Sequence, residues 1–155
     1  MWNHEPSEYD CPFCRLLRGE HGANNAESDI VARGERAFAR VAPKWWPANP
    51  GAVLVIPVKH VENLYDIEPA DGHAVWDLTR RVATAMRSAY GCDGTSTRQH
   101  NEPAGNQDVW HLHVHVFPRW TDDRLYQRHD EAGWYDVGER GAYADRLRVA
   151  LDACG

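Results

Sequence analysis

Apolar positions fall into short runs that indicate strands. The segment from Val53 to Ile56 is apolar at every position, as expected of an interior strand covered on both faces. Segments 29–32, 37–41 and 95–99 have the composition of further strands, and Gly34-Glu35-Arg36 supplies a turn between the first two. Residues 43–50 contain three prolines and two tryptophans, which predicts a loop.

An apolar period of three to four residues predicts a long helix between Pro69 and Gly91. Proline suits the first turn of a helix, and glycine suits its carboxy-terminal cap. The buried face of this helix would consist of Val75, Leu78, Val82, Met86 and Ala89. The tail predicts a second amphipathic helix with Tyr143, Leu147 and Leu151 on one face, and residues 15–19 predict a single helical turn that Gly19 ends.

These elements predict one α+β domain over residues 1–155. Its core would be an antiparallel sheet of about five strands, covered by the long amphipathic helix and the C-terminal helix. No internal repeat or linker divides the chain. Residues 1–10 are polar and irregular, so we expect a flexible N-terminal arm.

Composition and charge exclude several classes of protein. The chain is 43% hydrophobic and 26% charged, as in a globular domain, and no apolar run approaches the roughly 20 residues that cross a bilayer. The amino terminus lacks the features of a signal peptide, so we expect a cytoplasmic protein without membrane association. A net charge of −6 argues against polymeric nucleic acid as a partner, yet allows one small nucleotide in a shaped pocket.

The candidate chemistry is concentrated in the segment from Trp110 to Pro118. Histidines alternate with apolar residues there, and strict alternation predicts a strand that Pro118 closes. His111, His113 and His115 would leave one face, while Leu112, Val114 and Val116 would join the core. Same-face side chains lie roughly 6.5 to 7 Å apart. Three imidazoles at this spacing can converge on one anionic group or divide their roles between a metal and a substrate.

A neutral imidazole is also a competent nucleophile near neutral pH. Its pKa is about 6.5, and it can attack phosphorus to form a covalent phosphoramidate. Neighbouring histidines can then donate hydrogen bonds to the phosphate oxygens or to the leaving group.

A second candidate site begins at Cys11-Pro12-Phe13-Cys14. In a cytosolic chain, a Cys-x-x-Cys pair is more often metal-binding or redox-active than a disulfide, and two thiolates supply half of a tetrahedral zinc site. The alternative is that both cysteines are free thiols. Cys92 and Cys154 have no partner signal, and the histidines in polar surroundings are expected to be solvated: His4, His21, His73, His100 and His129.

The segment His111-Leu112-His113-Val114-His115-Val116-Phe117 resembles the signature of the histidine triad (HIT) family. Cys11 to Cys14 is similar to the Cys-x-x-Cys of many bacterial, zinc-binding members, residues 53–60 resemble their central strand and its exit, and residues 101–109 resemble their substrate loop. The resemblance extends from about Cys11 to Arg119. It implies a HIT-like fold and a homodimer.

The resemblance also implies roles for individual residues. His113 would attack the α-phosphorus of a small purine nucleotide derivative, a dinucleoside polyphosphate or a nucleoside phosphoramidate. His115 would contact the α-phosphate and assist the leaving group. Asn101, Gly105 and Gln107 would bind substrate from the loop. Structural zinc would be held by four ligands: Cys11, Cys14, His60 and His111.

Three positions depart from the family's pattern. Asp108 stands where members commonly have Ser or Thr, and Arg40 stands where they have an acidic residue that holds the ribose. Gly51-Ala52 replaces a common Gly-His. A carboxylate at Asp108 would repel phosphate unless it orients a histidine or binds a cation. Trp45 and Trp46 could stack on a base or pack at a dimer interface.

Two other functions are compatible with the sequence. A hydrolase whose histidines hold a catalytic zinc would activate water instead of forming a covalent intermediate. A nucleotide-binding protein on the same fold would bind without turnover, as the altered ribose and phosphate positions suggest.

Overall fold

The computed structural model describes residues 2–154 and is built on a five-stranded antiparallel sheet. The sheet has the order β1-β2-β4-β6-β5, and β3 and β7 form a separate two-stranded ladder. The helices are α1 (Pro12–Leu17), α2 (Pro69–Tyr90) and α3 (Val137–Ala153), and the strands are β1 (Ile30–Arg33), β2 (Ala37–Val41), β3 (Lys44–Trp45), β4 (Val53–Pro57), β5 (Gly94–Gln99), β6 (Val114–Arg119) and β7 (Gly133–Trp134). The predicted α+β class and five-stranded antiparallel sheet are confirmed.

The two faces of the sheet are covered by different helices, which explains the unbroken apolar run of β4. Val53 and Val55 belong to the large core cluster that includes the buried face of α2. Leu54 and Ile56 belong to a second cluster, which includes Phe13 and Leu16 of α1. Each fully buried aliphatic side chain contributes about 1.5–3 kcal/mol, so both layers stabilise the central strand.

The long helix follows the periodicity of its sequence. Its buried residues include Val75, Leu78, Val82 and Met86, and α3 packs beside it through Leu147 and Leu151. Gly91 ends α2 in the left-handed conformation, with a φ of 66°. The predicted glycine cap is therefore confirmed.

The triad strand is shorter at its start than predicted and longer at its end. It begins at Val114, because β4 and β5 both stop pairing opposite that residue. The preceding amide of Leu112 instead donates to the Val61 carbonyl, at 2.7 Å. Pro118 lies inside the strand and does not close it, since β4 pairs only as far as Val116 and needs no amide there.

Smaller differences lie near the first helix and the proline-rich loop. Helix α1 begins at Pro12, a favourable first-turn residue, and not at residue 15. The segment 43–50 is not wholly a loop, because β3 pairs with β7. This two-stranded ladder joins segments far apart in the chain, so it cannot be predicted from local composition.

Residues 2–10 have neither helix nor strand, yet they contact the body of the domain. The amides of His4 and Glu5 donate to the buried carboxylate of Glu62, and Trp2 packs edge-on against Tyr65. The flexibility of this arm stays a prediction. Within residues 2–154, no helix combines the length and apolar character that a bilayer crossing requires.

Candidate active site

The four predicted metal ligands converge where β4 ends and β6 begins. Cys11 and Cys14 lie at the start of α1, His60 follows β4, and His111 precedes β6. Their four donor atoms all lie within 4.8 Å of one another. Cys11 Sγ is 3.3 Å and Cys14 Sγ 3.7 Å from His111 Nδ1, and Cys14 Sγ is 3.4 Å from His60 Nδ1.

These separations fit a tetrahedral zinc site. Ordinary Zn–S and Zn–N bonds place sulfur and nitrogen ligands roughly 3.6 Å apart. Burial raises the pKa of Cys11 to about 12 and lowers the pKa of His111 to about 4. The imidazole is therefore neutral, as a metal ligand must be, while the thiol needs a nearby cation to lose its proton.

The outer nitrogen of each ligand histidine is also bound. His111 Nε2 donates to the Pro57 carbonyl at 2.9 Å, and His60 Nε2 lies 2.5 Å from the Glu5 carboxylate. Such outer contacts fix the ring orientation of metal-binding histidines. Glu5 lies in the predicted N-terminal arm, so the arm reaches the candidate metal centre.

His113 has the geometry of a nucleophile held in one tautomer. Its Nδ1 lies 2.8 Å from the His111 carbonyl, to which it donates, so Nε2 carries the lone pair. The side chain is 4% exposed and its ring lies 5.2 Å from that of Phe13. Burial lowers the pKa of His113, which keeps the ring neutral. Asp108 Oδ1 stands 3.8 Å from Nε2.

His115 lies beside His113 on the same sheet face. The two ring centres are 4.9 Å apart, and the ring of His115 stacks parallel to Phe117 at 5.5 Å. Burial is the main cause that lowers the pKa of His115, and His113, His100 and Arg98 lower it further. A neutral His115 retains one N–H that can donate to a phosphate oxygen.

The predicted substrate loop adjoins the triad, but its amide side chains bind within the protein. Gln107 Nε2 donates to the carbonyls of Glu62 and Val109, and Oε1 accepts from the Glu102 amide. Asn101 Oδ1 accepts from the Leu64 amide at 2.8 Å. Gly105 ends a 3-10 turn, and a Cβ on it would meet open space. Substrate binding by Asn101, Gly105 and Gln107 stays a prediction.

Two of the three departures have structural roles in this chain. Arg40 is 1% exposed and its guanidinium binds the buried Asp29, at 3.0 Å. Ala52 is buried, and Gly51 adopts a φ of 79° in contact with Tyr143, where a Cβ would lie 2.6 Å from the ring. Neither change adds a group to the triad. Of the three departures, only Asp108 faces a triad histidine.

The two tryptophans have separate environments. Trp45 is 2% exposed and stacks on Tyr135 at 4.2 Å, so it belongs to the core. Trp46 is half-buried and contacts Phe117 and the guanidinium of Arg98. Sequence reasoning missed Arg98 and Phe13 as neighbours of the triad, because the contact of each depends on strand register or helix placement.

Comparison with known proteins agrees with this geometry. The family model described as HIT domain matches residues 23–122, about two thirds of the chain and the whole triad segment. The chain belongs to the HIT family. The matched span begins after Cys11 and Cys14, so the first half of the candidate metal site lies outside it.

Named relatives in the HIT family include nucleotide-processing enzymes. The AP-4-A phosphorylase of Mycobacterium tuberculosis is 34% identical over 64% of this chain and 51% of its own length. The adenylylsulfatase HINT3 of Arabidopsis thaliana is 27% identical over 76% of this chain and 56% of its own length. This chain therefore spans about half of either relative.

A solved structure matches nearly the whole length of this chain. A Zn-bound histidine triad family protein from Mycobacterium smegmatis has a TM-score of 0.75 and 26% sequence identity. The alignment covers 94% of this chain and 95% of that chain. The HIT-like fold predicted from the triad segment is confirmed.

Proposed function

We propose that this protein hydrolyses or transfers the nucleotidyl group of small purine nucleotide derivatives, with His113 as the nucleophile. One observation carries the proposal: the His111 carbonyl accepts the Nδ1 proton of His113, so Nε2 carries the lone pair. The pKa lowered by burial adds to this, because a neutral ring can attack phosphorus over a wide pH range. The names of the phosphorylase and sulfatase relatives support a nucleotide substrate.

The proposed reaction has two displacements. Nε2 of His113 forms a bond to the α-phosphorus, and the bond from phosphorus to the leaving group breaks with its electron pair on the departing atom. His115 donates a hydrogen bond to the phosphate or to that atom. Water then attacks phosphorus, gives one proton to solvent and returns the P–N electron pair to Nε2, which regenerates neutral His113.

The candidate zinc site supports a structural role. Cys11, Cys14, His60 and His111 would hold the ion, and it would supply a cross-link between α1 and the residue before the triad strand. Four protein ligands leave no coordination position for a reactive water. This closed donor set favours histidine chemistry over the zinc-water hydrolase.

Asp108 favours a second candidate function, nucleotide binding without turnover. Its carboxylate stands 3.8 Å from His113 Nε2, where a phosphoryl group would have to approach. Whether the protein hydrolyses nucleotides or only binds them, we propose that the substrate loop contacts the phosphate or sugar. Asn101 and Gln107 would hold the loop in place, and the backbone at Gly105 would approach the ligand. We also propose a homodimer, as the family resemblance implies. The sheet has two edge strands, β1 and β5, at which a second copy could pair.

Intact-protein mass spectrometry after brief mixing with adenylyl donors tests the proposal. Diadenosine tetraphosphate, adenylyl sulfate and adenosine 5′-phosphoramidate would each add one adenylyl group to the native chain, and His113→Ala would gain none. His113→Asn keeps a polar side chain if the alanine variant folds poorly. His73→Ala, at an exposed position on α2, is the matched control and forms the adduct.

The other outcomes separate the alternatives. AMP release without an adduct in a quenched time course would contradict the nucleophile assignment and favour a water-activating site. Nucleotide binding with neither adduct nor AMP would establish the binding protein.

A further inference from the structure

Arg98 lies next to the triad, directly across from His115 on the neighbouring strand. The register pairs Arg98 of β5 with His115 of β6, and directly opposed residues project from the same face. The next residue on that face of β6 is Phe117. The Phe117 ring lies 5.5 Å from the ring of His115. The guanidinium carbon of Arg98 lies over the Phe117 ring, 4.6 Å from its centre.

Among residues 2–154, Arg98 differs from Arg40, Arg119 and Arg140 because it pairs with no carboxylate. Arg40 and Arg140 both bind Asp29, and Arg119 binds Asp123 through two bonds of 2.8 Å. Within residues 2–154, Arg98 takes part in no salt bridge, and its buried Nε has no hydrogen-bond partner. Arg98 is half-buried, so its charge is partly desolvated without a counter-charge, and an anionic acceptor would stabilise it.

Aromatic rings surround the free guanidinium. Trp46 and Tyr126 lie 5.4 and 5.7 Å from it, in addition to Phe117. Cation–π contacts at such distances hold the side chain in place, but they leave its N–H groups without acceptors. Burial lowers the pKa of Arg98, which shows the cost of holding the charge there.

We propose that Arg98 binds an anionic leaving group in a subsite beyond His115, and so makes phosphoric anhydrides better substrates than phosphoramidates. This inference rests on the proposed function of His113. Attacking and leaving atoms stand roughly in line in phosphoryl transfer, so the leaving group lies on the far side of phosphorus from His113. Arg98 pairs with His115, two residues beyond His113 along the chain, so it lies on the His115 side of the nucleophile.

The charge of the leaving group decides whether Arg98 acts on the rate. When a P–O bond to a phosphate chain or sulfate breaks, the electron pair stays on the departing oxygen and adds one negative charge. A fixed guanidinium stabilises this charge in the transition state. The nitrogen of a phosphoramidate takes up a proton from solvent as its P–N bond breaks and leaves as ammonia. Ammonia carries no negative charge, so its departure gains nothing from the cation.

The test compares kcat/KM for three donors that share the adenylyl group. In Arg98→Met, which keeps an apolar stem among the rings, the ratios of diadenosine tetraphosphate and of adenylyl sulfate to adenosine 5′-phosphoramidate would both fall about 10- to 100-fold. Arg98→Lys would restore part of each ratio, because lysine keeps the positive charge but lacks the planar set of N–H donors of a guanidinium. Arg87→Met, on the exposed surface of α2, removes the same charge and keeps the native ratios.

Calorimetry with inorganic tripolyphosphate gives a readout without turnover. The native chain would bind this probe, and Arg98→Met would weaken binding at least about 10-fold. An equal fall in kcat/KM for all three donors in Arg98→Met, or no fall, would overturn the proposal. A fall in kcat/KM confined to diadenosine tetraphosphate would also overturn the proposal, because this result would indicate base stacking on Trp46 or Tyr126.

The two proposals can fail separately. If the native chain turns over no donor but binds tripolyphosphate through Arg98, the anion subsite stands and the hydrolase proposal falls. If donors react through His113 and Arg98→Met leaves both readouts at native values, only the subsite falls.

Discussion

At the scale of single residues, the most consequential neighbour of the proposed nucleophile is Asp108. Its carboxylate faces Nε2 of His113, while its own side chain is 80% exposed. A negative charge so close to the attacking atom repels an incoming phosphate. Solvent and salt weaken that repulsion, because the carboxylate lies mostly in water.

Asp108→Asn should therefore lower KM for adenylyl donors about 2- to 5-fold at low ionic strength. The amide has nearly the same shape, so the change reports the charge. The effect should shrink in 1 M salt, where the Debye length is about 3 Å. Asp152→Asn, an exposed charge at the end of α3, is the control. A higher KM in Asp108→Asn would instead assign the carboxylate a positive role in binding.

At the scale of elements, α1 depends on partners outside itself. It has six residues, whereas isolated helices shorter than about 12–15 residues are marginal in water. Phe13 and Leu16 bury it against β4, and Phe13 also lies against the rings of His111 and His113. The cysteines on either side of Phe13 attach the same turn to the candidate zinc centre.

Removing the proposed zinc should loosen α1 before the rest of the chain. A ligand at 100 times its Kd stabilises a fold by about 2.7 kcal/mol, so chelation should lower Tm by about 5–10 °C. Hydrogen exchange should rise in residues 11–18 and around His60, and stay low in α2. Cys14→Ser should reproduce the change, whereas Cys154→Ser, at an exposed cysteine, should not. An unchanged Tm after metal removal, verified by elemental analysis, would contradict the structural role.

At the scale of the whole molecule, a buried ion cluster joins distant segments of the chain. Asp29 is fully buried between two guanidinium groups, that of Arg40 on β2 and that of Arg140 on α3. Burial lowers the pKa of Arg40 to about 10, which still leaves it charged near neutral pH. One carboxylate therefore compensates two enclosed cations.

Asp29→Asn should lower the free energy of unfolding by about 3–5 kcal/mol, because it leaves both guanidinium groups without counter-charge. Urea denaturation at pH 7 would measure the loss. Glu27→Gln is the matched control, since it breaks the exposed pair with Arg33 and should cost less than about 1 kcal/mol. Equal stability of the two variants would show that the cluster has relaxed or taken up water.

The sequence predicted the elements whose signals are local. Apolar periodicity with Pro69 and Gly91 located α2, and the uninterrupted apolar run located β4. The Cys-x-x-Cys pair and the triad resemblance together indicated four metal ligands, and the structure brings those four together. The predictions of α2 and β4 succeed because side-chain period, caps and turn residues are recorded in consecutive positions. The metal-ligand roles stay a prediction.

The tertiary structure alone decided which side chains meet across the sheet. Strand β6 begins at Val114 because β4 and β5 pair with it no further than that residue. The side-chain amide of Gln107 binds carbonyls of the protein itself. Within residues 2–154, Arg98 stands opposite His115 and forms no salt bridge with an acid. Burial then decides which groups stay neutral and which charges need a partner. Cross-strand register and enclosure depend on segments far apart in the chain, so no local pattern specifies them.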